Sequence, residues 1–362
     1  MSDTEQLRDI RNKIDAIDEQ IQTLINARAT CAMQVAKIKR NAQQVDNFYR
    51  PEREADVLLR VMARNKGGVL GDETMARLFR EIMSECLALE QRLNIAYLGP
   101  IGTFTQAAAI KHFGHAVQTV AVGSIAEVFR EVEGGVARFG VVPVENSTEG
   151  VVNHTLDTFI ASPLKICGEV ELRIHQHLMA KQTDKSRVKR LYSHQQSLAQ
   201  CREWLNEHLP MAEIVTVSSN AEAARRAALE ADAAAIAGEQ AAEIYGLNLL
   251  ERNIEDEPDN TTRFLVVGRY DTAPTGRDKT SILVSVRNKT GALHRVLEPL
   301  VRHGVSMSRI ESRPSRRGMW DYVFFIDLEG HQHDAPVSQA LAALEQEAAM
   351  LKRLGSYPRA VL

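Results

Sequence analysis

The sequence predicts a multidomain chain in three parts: an all-α N-terminal region, an α/β centre, and a C-terminal α+β unit of ferredoxin-like order. Three observations carry this. Residues 1–92 hold almost no strand signal, with glycine only at Gly67, Gly68 and Gly71 and proline only at Pro51. Residues 93–270 alternate short apolar strands with Ala-rich helices. Residues 279–362 read strand, helix, strand, strand, helix, strand, beyond a turn-rich linker at Asp271–Asp278.

Composition narrows the function. A chain of 362 residues has room for two or three cores. The net charge of −3 argues against a nucleic-acid partner held by a general positive field. No apolar stretch approaches the roughly 20 residues of a membrane span, and the N-terminus lacks the apolar core of a secretory signal. Cys31, Cys86, Cys167 and Cys201 form no CxxC pair, so a disulfide framework or zinc ribbon is not expected and a cytoplasmic location is.

In the first helix apolar residues fall at Leu7, Ile10, Ile14, Ile17, Ile21, Leu24, Cys31, Val35 and Ile38, a heptad seam. Arg28 occupies the one gap. A cation in a seam is costly unless it meets an anion, and either a structural carboxylate or a ligand would serve. From Leu7 to Arg40 the helix is about 51 Å long at roughly 1.5 Å per residue. A 92-residue region cannot cover that length, which predicts an antiparallel two-fold copy. The second helix starts at Pro51 and runs to about Asn65. The third runs from about Asp72 to Arg92, with a stripe of Met75, Leu78, Phe79, Ile82, Cys86, Leu89 and Leu93.

Lys39 lies on nearly the same face as Arg28, about 16 Å along the axis, so two long side chains could close on one small dianion. Arg11 is about 42 Å from Lys39 and could reach that anion only from a partner chain. Cys86 and Glu90 share a face at i, i+4, and Arg53 and Glu54 open the second helix.

The segments LRDIRNKIDAIDEQI, NARATCAMQVAKIKR, YRPEREADVLL and RLFREIMSECLALEQ resemble the helical chorismate mutase domain, a three-helix unit that forms an intertwined dimer. The resemblance implies that Arg11 from the partner, Arg28 and Arg53 hold the carboxylates of chorismate. It gives Lys39 a carboxylate and the ether oxygen, and Glu54, with backbone near Arg50, the ring hydroxyl. The reaction is a pericyclic rearrangement, which needs a held conformer and charge stabilisation rather than a nucleophile. Some members have Ser and Gln where this chain has Cys86 and Glu90. A Glu90 carboxyl donates to the ether oxygen only when protonated, and burial beside an anion would favour that form. The alternative is an exposed Glu90 with Gln91 facing the site.

Four polar clusters follow in the centre. GPIGTFTQ turns from a strand at Asn94–Leu98 into a helix, with Thr103 or Thr105 as its cap. The strand Val141–Val144 ends in Glu145, Asn146, Ser147 and Thr148. LYSHQQSLAQC places Ser193 after a strand and Gln200 on the next helix, and Thr261, Thr262 and Arg263 lead into a further strand. Four such clusters at comparable strand ends predict one cleft. None is a dinucleotide fingerprint.

YLGPIGTFT, VPVENSTEG, YSHQQSLAQC and NTTRF resemble prephenate dehydratase across residues 93–270, implying a two-lobed, periplasmic-binding-protein-like fold with prephenate between the lobes. By that resemblance Thr262 is essential for dehydration, and Glu145, Asn146, Ser147, Ser193, Gln200 and Arg263 line the site, with Thr103 at its edge. Thr262 as hydrogen-bond donor and Glu145 as general acid are rival ways to assist loss of hydroxide. His175 with His177, and His331 with His333, each read as one strand face; neither pair has a third ligand, so no metal is assigned.

KTSILVSVRNKTGALHRVLEPLVRHG, then a hairpin across Ser315–Gly318, resemble an ACT domain. The marks are Thr290, Gly291, Ala292 and Leu293 at the helix start and Glu311, Ser312, Arg313 and Pro314 on the second strand. The resemblance implies L-phenylalanine as effector, bound where two such modules pair.

Together the chain is similar to the bifunctional chorismate mutase–prephenate dehydratases, which implies a feedback-regulated homodimer or higher oligomer. Its implied partners are chorismate, prephenate and phenylalanine, with no cofactor, nucleic acid or membrane. A fusion to prephenate dehydrogenase would need a nicotinamide fingerprint. A non-catalytic two-lobed amino-acid sensor with a helical dimerisation domain is the alternative, and it leaves Arg28 and Lys39 unexplained.

Overall fold

The computed structural model describes residues 3–42, 48–286, 290–314 and 322–362. The hairpin turn expected across Ser315–Gly318 lies outside them. The chain divides into two compact units, Met1–Arg50 with Leu58–Leu93 and Phe113–Gln118, and Pro51–Val57 with Asn94–His112 and Thr119–Leu362.

The first unit is built on helix α1 (Asp3–Asn41), which packs on α3 (Asp72–Glu90). Asp3 and Glu5 in its first turn and Lys39 and Arg40 in its last complement the helix dipole. Ala36 is the one buried residue of α1. The expected seam stands open, from Leu7 (56% exposed) to Ile38 (68%). On α3, Leu78 and Leu89 are exposed as well. Ser84 and Glu81 turn to the segment after Phe113, accepting from the Ala116 and His115 amides at 3.3 and 3.1 Å. Helix α2 (Pro51–Asn65) begins at proline, as expected, and is shared between the units.

The second unit holds two lobes and a C-terminal layer. The first lobe's sheet contains β1 (Asn94–Leu98), β2 (Gln118–Val122), β3 (Phe139–Asn146), β4 (Gly150–Val151), β5 (Lys165–Arg173) and β11 (Thr261–Gly268), in the order β2-β1-β3-β11-β5 with β4 beside β3. The second lobe's sheet contains β6 (His177–Ala180), β7 (Arg190–His194), β8 (Glu213–Val217), β9 (Ala233–Ala237) and β10 (Asn248–Glu251), in the order β10-β6-β9-β7-β8. The chain leaves the first sheet after β5 and returns as β11, so the two crossovers, near Ile174 and Asn260, lie side by side, joined by Ile174 N donating to Asn260 O at 2.8 Å. Strand β9 is AAAIA, entirely buried despite alanine's helical preference. It packs against α9 (Asn220–Ala227), whose buried face is also alanine, and small residues let strand and helix approach closely.

The C-terminal layer runs β12 (Asp278–Ser285), α11 (Ala292–Arg302), β13 (Met307–Pro314), β14 (Tyr322–Glu329), α12 (Ala335–Glu347) and β15 (Met350–Pro358), the expected ferredoxin-like order, with the antiparallel sheet β13-β14-β12-β15. Leu283, Phe325, Leu354 and Tyr357 join Val142, Leu156, Phe159 and Leu265 of the first lobe in one core. Gly355, at φ 148°, lets β15 lie against β5: a Cβ there would run into the Ile166 carbonyl. Two sequence expectations change. His331 and His333 sit in the turn before α12, and His175 sits in the β5–β6 connection, where its Nδ1 meets Glu255 at 2.7 Å. Among the described residues no group of three His, Cys, Asp or Glu could hold a metal, and no helix is long and apolar enough to cross a membrane.

Candidate functional sites

In the first unit, Arg28, Lys39 and Arg40 of α1 act electrostatically on Glu90 at the end of α3. Burial raises the Glu90 pKa from its ordinary value, and the three cations, Lys39 foremost, oppose that rise. The Glu90 Oε2 atom is buried with no hydrogen-bond partner among the described residues. Gln91 is exposed and already outside the helix, so Glu90 is the residue that faces the cations. Lys39 Nζ donates to Phe48 O at 3.3 Å and lies over the Phe48 ring, while Arg40 Nη2 donates to Glu90 O at 2.6 Å. Cys86, one turn before Glu90, is buried. Arg11 is exposed far along α1. Arg50, exposed, takes the N-cap position of α2, whose first turn carries Arg53, paired with Asp56 at 2.9 Å, and half-buried Glu54.

The second unit contains a cavity of about 770 Å³ between its lobes. Thr103, Asn146, Gln200 and Thr262 line it, as the sequence leads one to expect. Geometry on β3 and β11 explains how. Thr262 pairs with Asn146 and Arg263 with Glu145, but Phe264 pairs with Pro143, so Val144 is bulged out of register. Alternation puts Thr262 and Asn146 on the cavity and turns Arg263 and Glu145 to the opposite face, and the bulge sets Pro143 beside Phe264 on the cavity side. Asn146 Oδ1 accepts from the Thr148 and Glu149 amides at 3.0 and 2.9 Å, which identifies the oxygen end of the side-chain amide. Its Nδ2 therefore donates to Thr262 Oγ1 at 2.8 Å and to Asn260 Oδ1 at 2.7 Å.

Four expected residues stand elsewhere. Ser193 is fully buried behind the wall, donating to Asn220 Oδ1 at 3.3 Å. Ser147 is exposed, and its hydroxyl accepts from the Thr261 amide at 2.9 Å. Arg263 does not reach the cavity. Its guanidinium meets Glu169 at 2.8 Å, Asp327 at 2.6 Å and the Tyr357 hydroxyl at 3.0 Å, because alternate residues of a strand face opposite ways. Glu145 likewise pairs with Arg309 at 3.0 Å. Burial by itself would raise the Asp327 pKa, but Arg263 and the Ser281 hydroxyl hold it below the usual carboxylate range.

The sequence reading misses part of the wall. Gln176 lies between the two histidines of HQH; its Nε2 donates to Ser197 Oγ and Gln200 Oε1, both at 3.1 Å. Asn220 Nδ2 donates to Ser197 Oγ at 2.7 Å. The polar run Ser218–Asn220, another strand end over a helix start, is the signal that could have found Asn220. Among the described residues the lining includes no Lys, Arg, Asp or Glu. An anion here meets amide, hydroxyl and His194 groups and the start of helices α4 (Phe104–Phe113) and α9.

On the C-terminal layer, Gly291 adopts φ 73° at the start of α11, with Thr290 and Leu293 exposed beside it and Ala292 half-buried. Strand β13 is a sheet edge and splits its marks. Arg309, Glu311 and Arg313 are its less exposed positions, and Arg313 is bound to Asp157 (2.9 Å) and Asn153 (2.8 Å). Ser312 and Pro314 are exposed.

Family models for chorismate mutase type II, prephenate dehydratase and the ACT domain match residues 10–91, 95–272 and 280–346. The bifunctional chorismate mutase/prephenate dehydratase of Stutzerimonas stutzeri is 57% identical over 366 residues, covering 100% of both chains. The crystal structure of prephenate dehydratase from Arthrobacter aurescens in complex with L-Phe is 39% identical, with a TM-score of 0.69 over 74% of this chain and 90% of that one. The prephenate dehydratase of Staphylococcus aureus is 28% identical, with a TM-score of 0.65 over 73% of this chain and 100% of that one.

Proposed function

The chain belongs to the family of bifunctional chorismate mutase/prephenate dehydratases, and from that membership we propose how its residues divide the work. It converts chorismate to prephenate and prephenate to phenylpyruvate, under feedback control by L-phenylalanine. Its functional divisions are residues 1–92, 93–270 and 279–362.

In the mutase, Arg28, Lys39 and Glu90 form the fixed charged part of the site, and Cys86 packs beside them. Arg53 and Glu54, with backbone near Arg50, complete the grip on carboxylates and ring hydroxyl. Arg11 enters from a second copy. The exposed seam of α1 supports that dimer, because a stripe of large aliphatic side chains is stable only when covered. Cations held in a dry bundle select the compact conformer and stabilise charge growing on the ether oxygen. The raised Glu90 pKa supports its role as a protonated donor to that oxygen. A carboxyl donates only below its pKa, so mutase kcat/KM falls as pH rises above the ordinary carboxylate range, whereas Glu90→Gln stays level. A wild-type profile as flat as the variant's would refute this role.

In the dehydratase, prephenate occupies the inter-lobe cavity. The electrons of the bond to the departing carboxylate become a ring π bond, hydroxide leaves the opposite ring carbon, and one proton is taken up. The single observation that carries the reading is the Asn146-to-Thr262 hydrogen bond. Having accepted that hydrogen bond on Oγ1, Thr262 directs its own O–H elsewhere, and the cavity is the side it lines. This geometry favours Thr262 over Glu145, which is turned to Arg309. Gln200, Ser147, Ser193 and Thr103 shape or support the walls. The test is ultraviolet detection of phenylpyruvate from chorismate with no cofactor added; accumulation of prephenate alone would defeat the dehydratase half.

Phenylalanine binds at the start of α11, near Gly291, with Glu311 and Ser312, where two copies pair at the β13 edge. Its signal reaches the cavity through the reverse face of β3 and β11, by Arg309 to Glu145 and Asp327 to Arg263. Arg309→Gln keeps phenylalanine binding, measured calorimetrically, but weakens the inhibition by about fivefold or more, a typical coupling energy. Unchanged inhibition would remove Arg309 from the route. The enzyme is a cytoplasmic homodimer or higher oligomer in this reading.

A further inference from the structure

We propose that Asn260 is a positioning residue of the dehydratase, acting through Asn146 to aim the Thr262 hydroxyl at the departing group. Asn260 is 1% exposed and does not line the cavity. Its backbone is used at the crossover between lobes, accepting from Ile174 N at 2.8 Å and donating to Glu257 O at 3.3 Å, so any residue here keeps those bonds.

Its side chain does something separate. Two backbone amides hold Asn146 Oδ1, which leaves Nδ2 two hydrogens and two acceptors, Thr262 Oγ1 and Asn260 Oδ1. The Asn260 oxygen thus fixes the rotation of the Asn146 amide, and with it the direction from which Thr262 is approached. A hydroxyl that accepts along one fixed line has its donor direction limited to the remaining arc. Without the 2.7 Å anchor, Asn146 is held at its oxygen end alone, and the Thr262 proton is spread over more orientations. The chain Asn260–Asn146–Thr262 is therefore a relay of orientation, in which Thr262 alone touches the reacting atoms. This rests on the reading of Thr262 as donor.

The experiment is dehydratase kinetics on the full-length enzyme with prephenate. Asn260→Ala, or the similarly shaped Asn260→Leu where alanine is unstable, lowers kcat roughly 10- to 100-fold with KM within about twofold. Asn260→Asp, which keeps an oxygen facing Asn146, returns kcat to within about threefold of wild type. Added to Asn146→Ala, the Asn260→Leu change costs less than about twofold more, because the anchor has nothing left to hold. Full kcat in Asn260→Leu, equal losses in Asn260→Leu and Asn260→Asp, or additive losses with Asn146→Ala would each overturn the inference. Failure of the underlying reading looks different: Thr262→Val would then keep its turnover whatever stands at position 260.

Discussion

Thr262→Val lowers dehydratase kcat by roughly 100- to 1000-fold, the usual cost of deleting a preorganised donor to a developing oxyanion. Valine keeps the branched shape and the strand preference, so β11 and the packing of Phe264 survive. What goes is the one hydroxyl that Asn146 polarises at 2.8 Å. Thr262→Ser restores much of the rate, since it returns the oxygen without the methyl. Mutase turnover on chorismate is unchanged in both variants, because Arg28, Lys39 and Glu90 belong to the other compact unit. The measurement is stopped-time assay of prephenate and phenylpyruvate from each substrate separately. Loss of both activities in Thr262→Val would mean the change unfolds the protein rather than disarming one site.

The three-part plan was legible because hydrophobic period and turn residues are local signals. The ferredoxin-like order of the last part and the proline start of α2 follow directly from them. Thr262 and Asn146 were legible as members of motifs. Which neighbours accompany them was not. Arg263 follows Thr262 in the chain, yet strand alternation sends it to Asp327 and Glu169 and its cross-strand partner Glu145 to Arg309, while the bulge at Val144 brings Pro143 to the cavity face. A bulge depends on pairing between distant strands and leaves no mark in a single segment. Gln176 and Asn220 are lone amides, indistinguishable in sequence from surface residues until the fold brings them to one cavity, and Asn260, though part of the NTTRF motif, is buried behind it. The open seam of α1 was legible for the opposite reason: a 39-residue amphipathic helix states by its own length that one chain cannot cover it.

Lys39→Ala is the second large effect, a loss of roughly 100-fold or more in mutase kcat/KM with dehydratase activity on added prephenate intact. Lys39 is partly buried, its Nζ near Phe48 O and the Phe48 ring, and it acts on the Glu90 carboxyl along with Arg28. In the proposed role of Lys39, alanine removes both the charge complementary to a substrate carboxylate and the donor to the ether oxygen. Lys39→Arg recovers little, since a planar fork cannot occupy the position of a compact ammonium. Retained mutase activity in Lys39→Ala would take the pericyclic step away from this cluster.

The most direct test of the central claim, that the mutase site is shared across a two-fold axis, uses heterodimers. Arg11→Ala and Lys39→Ala chains carrying different tags are co-expressed, and the mixed dimer is purified through both tags. Each homodimer has both sites broken. In the mixed dimer one site joins an intact Lys39 to the intact Arg11 of the other chain, and the second site has neither. The expected result is about half the wild-type mutase rate per dimer, from two parents that are each nearly inactive. A mixed dimer as inactive as its parents, or full activity in the Arg11→Ala homodimer, would contradict a site built from two chains.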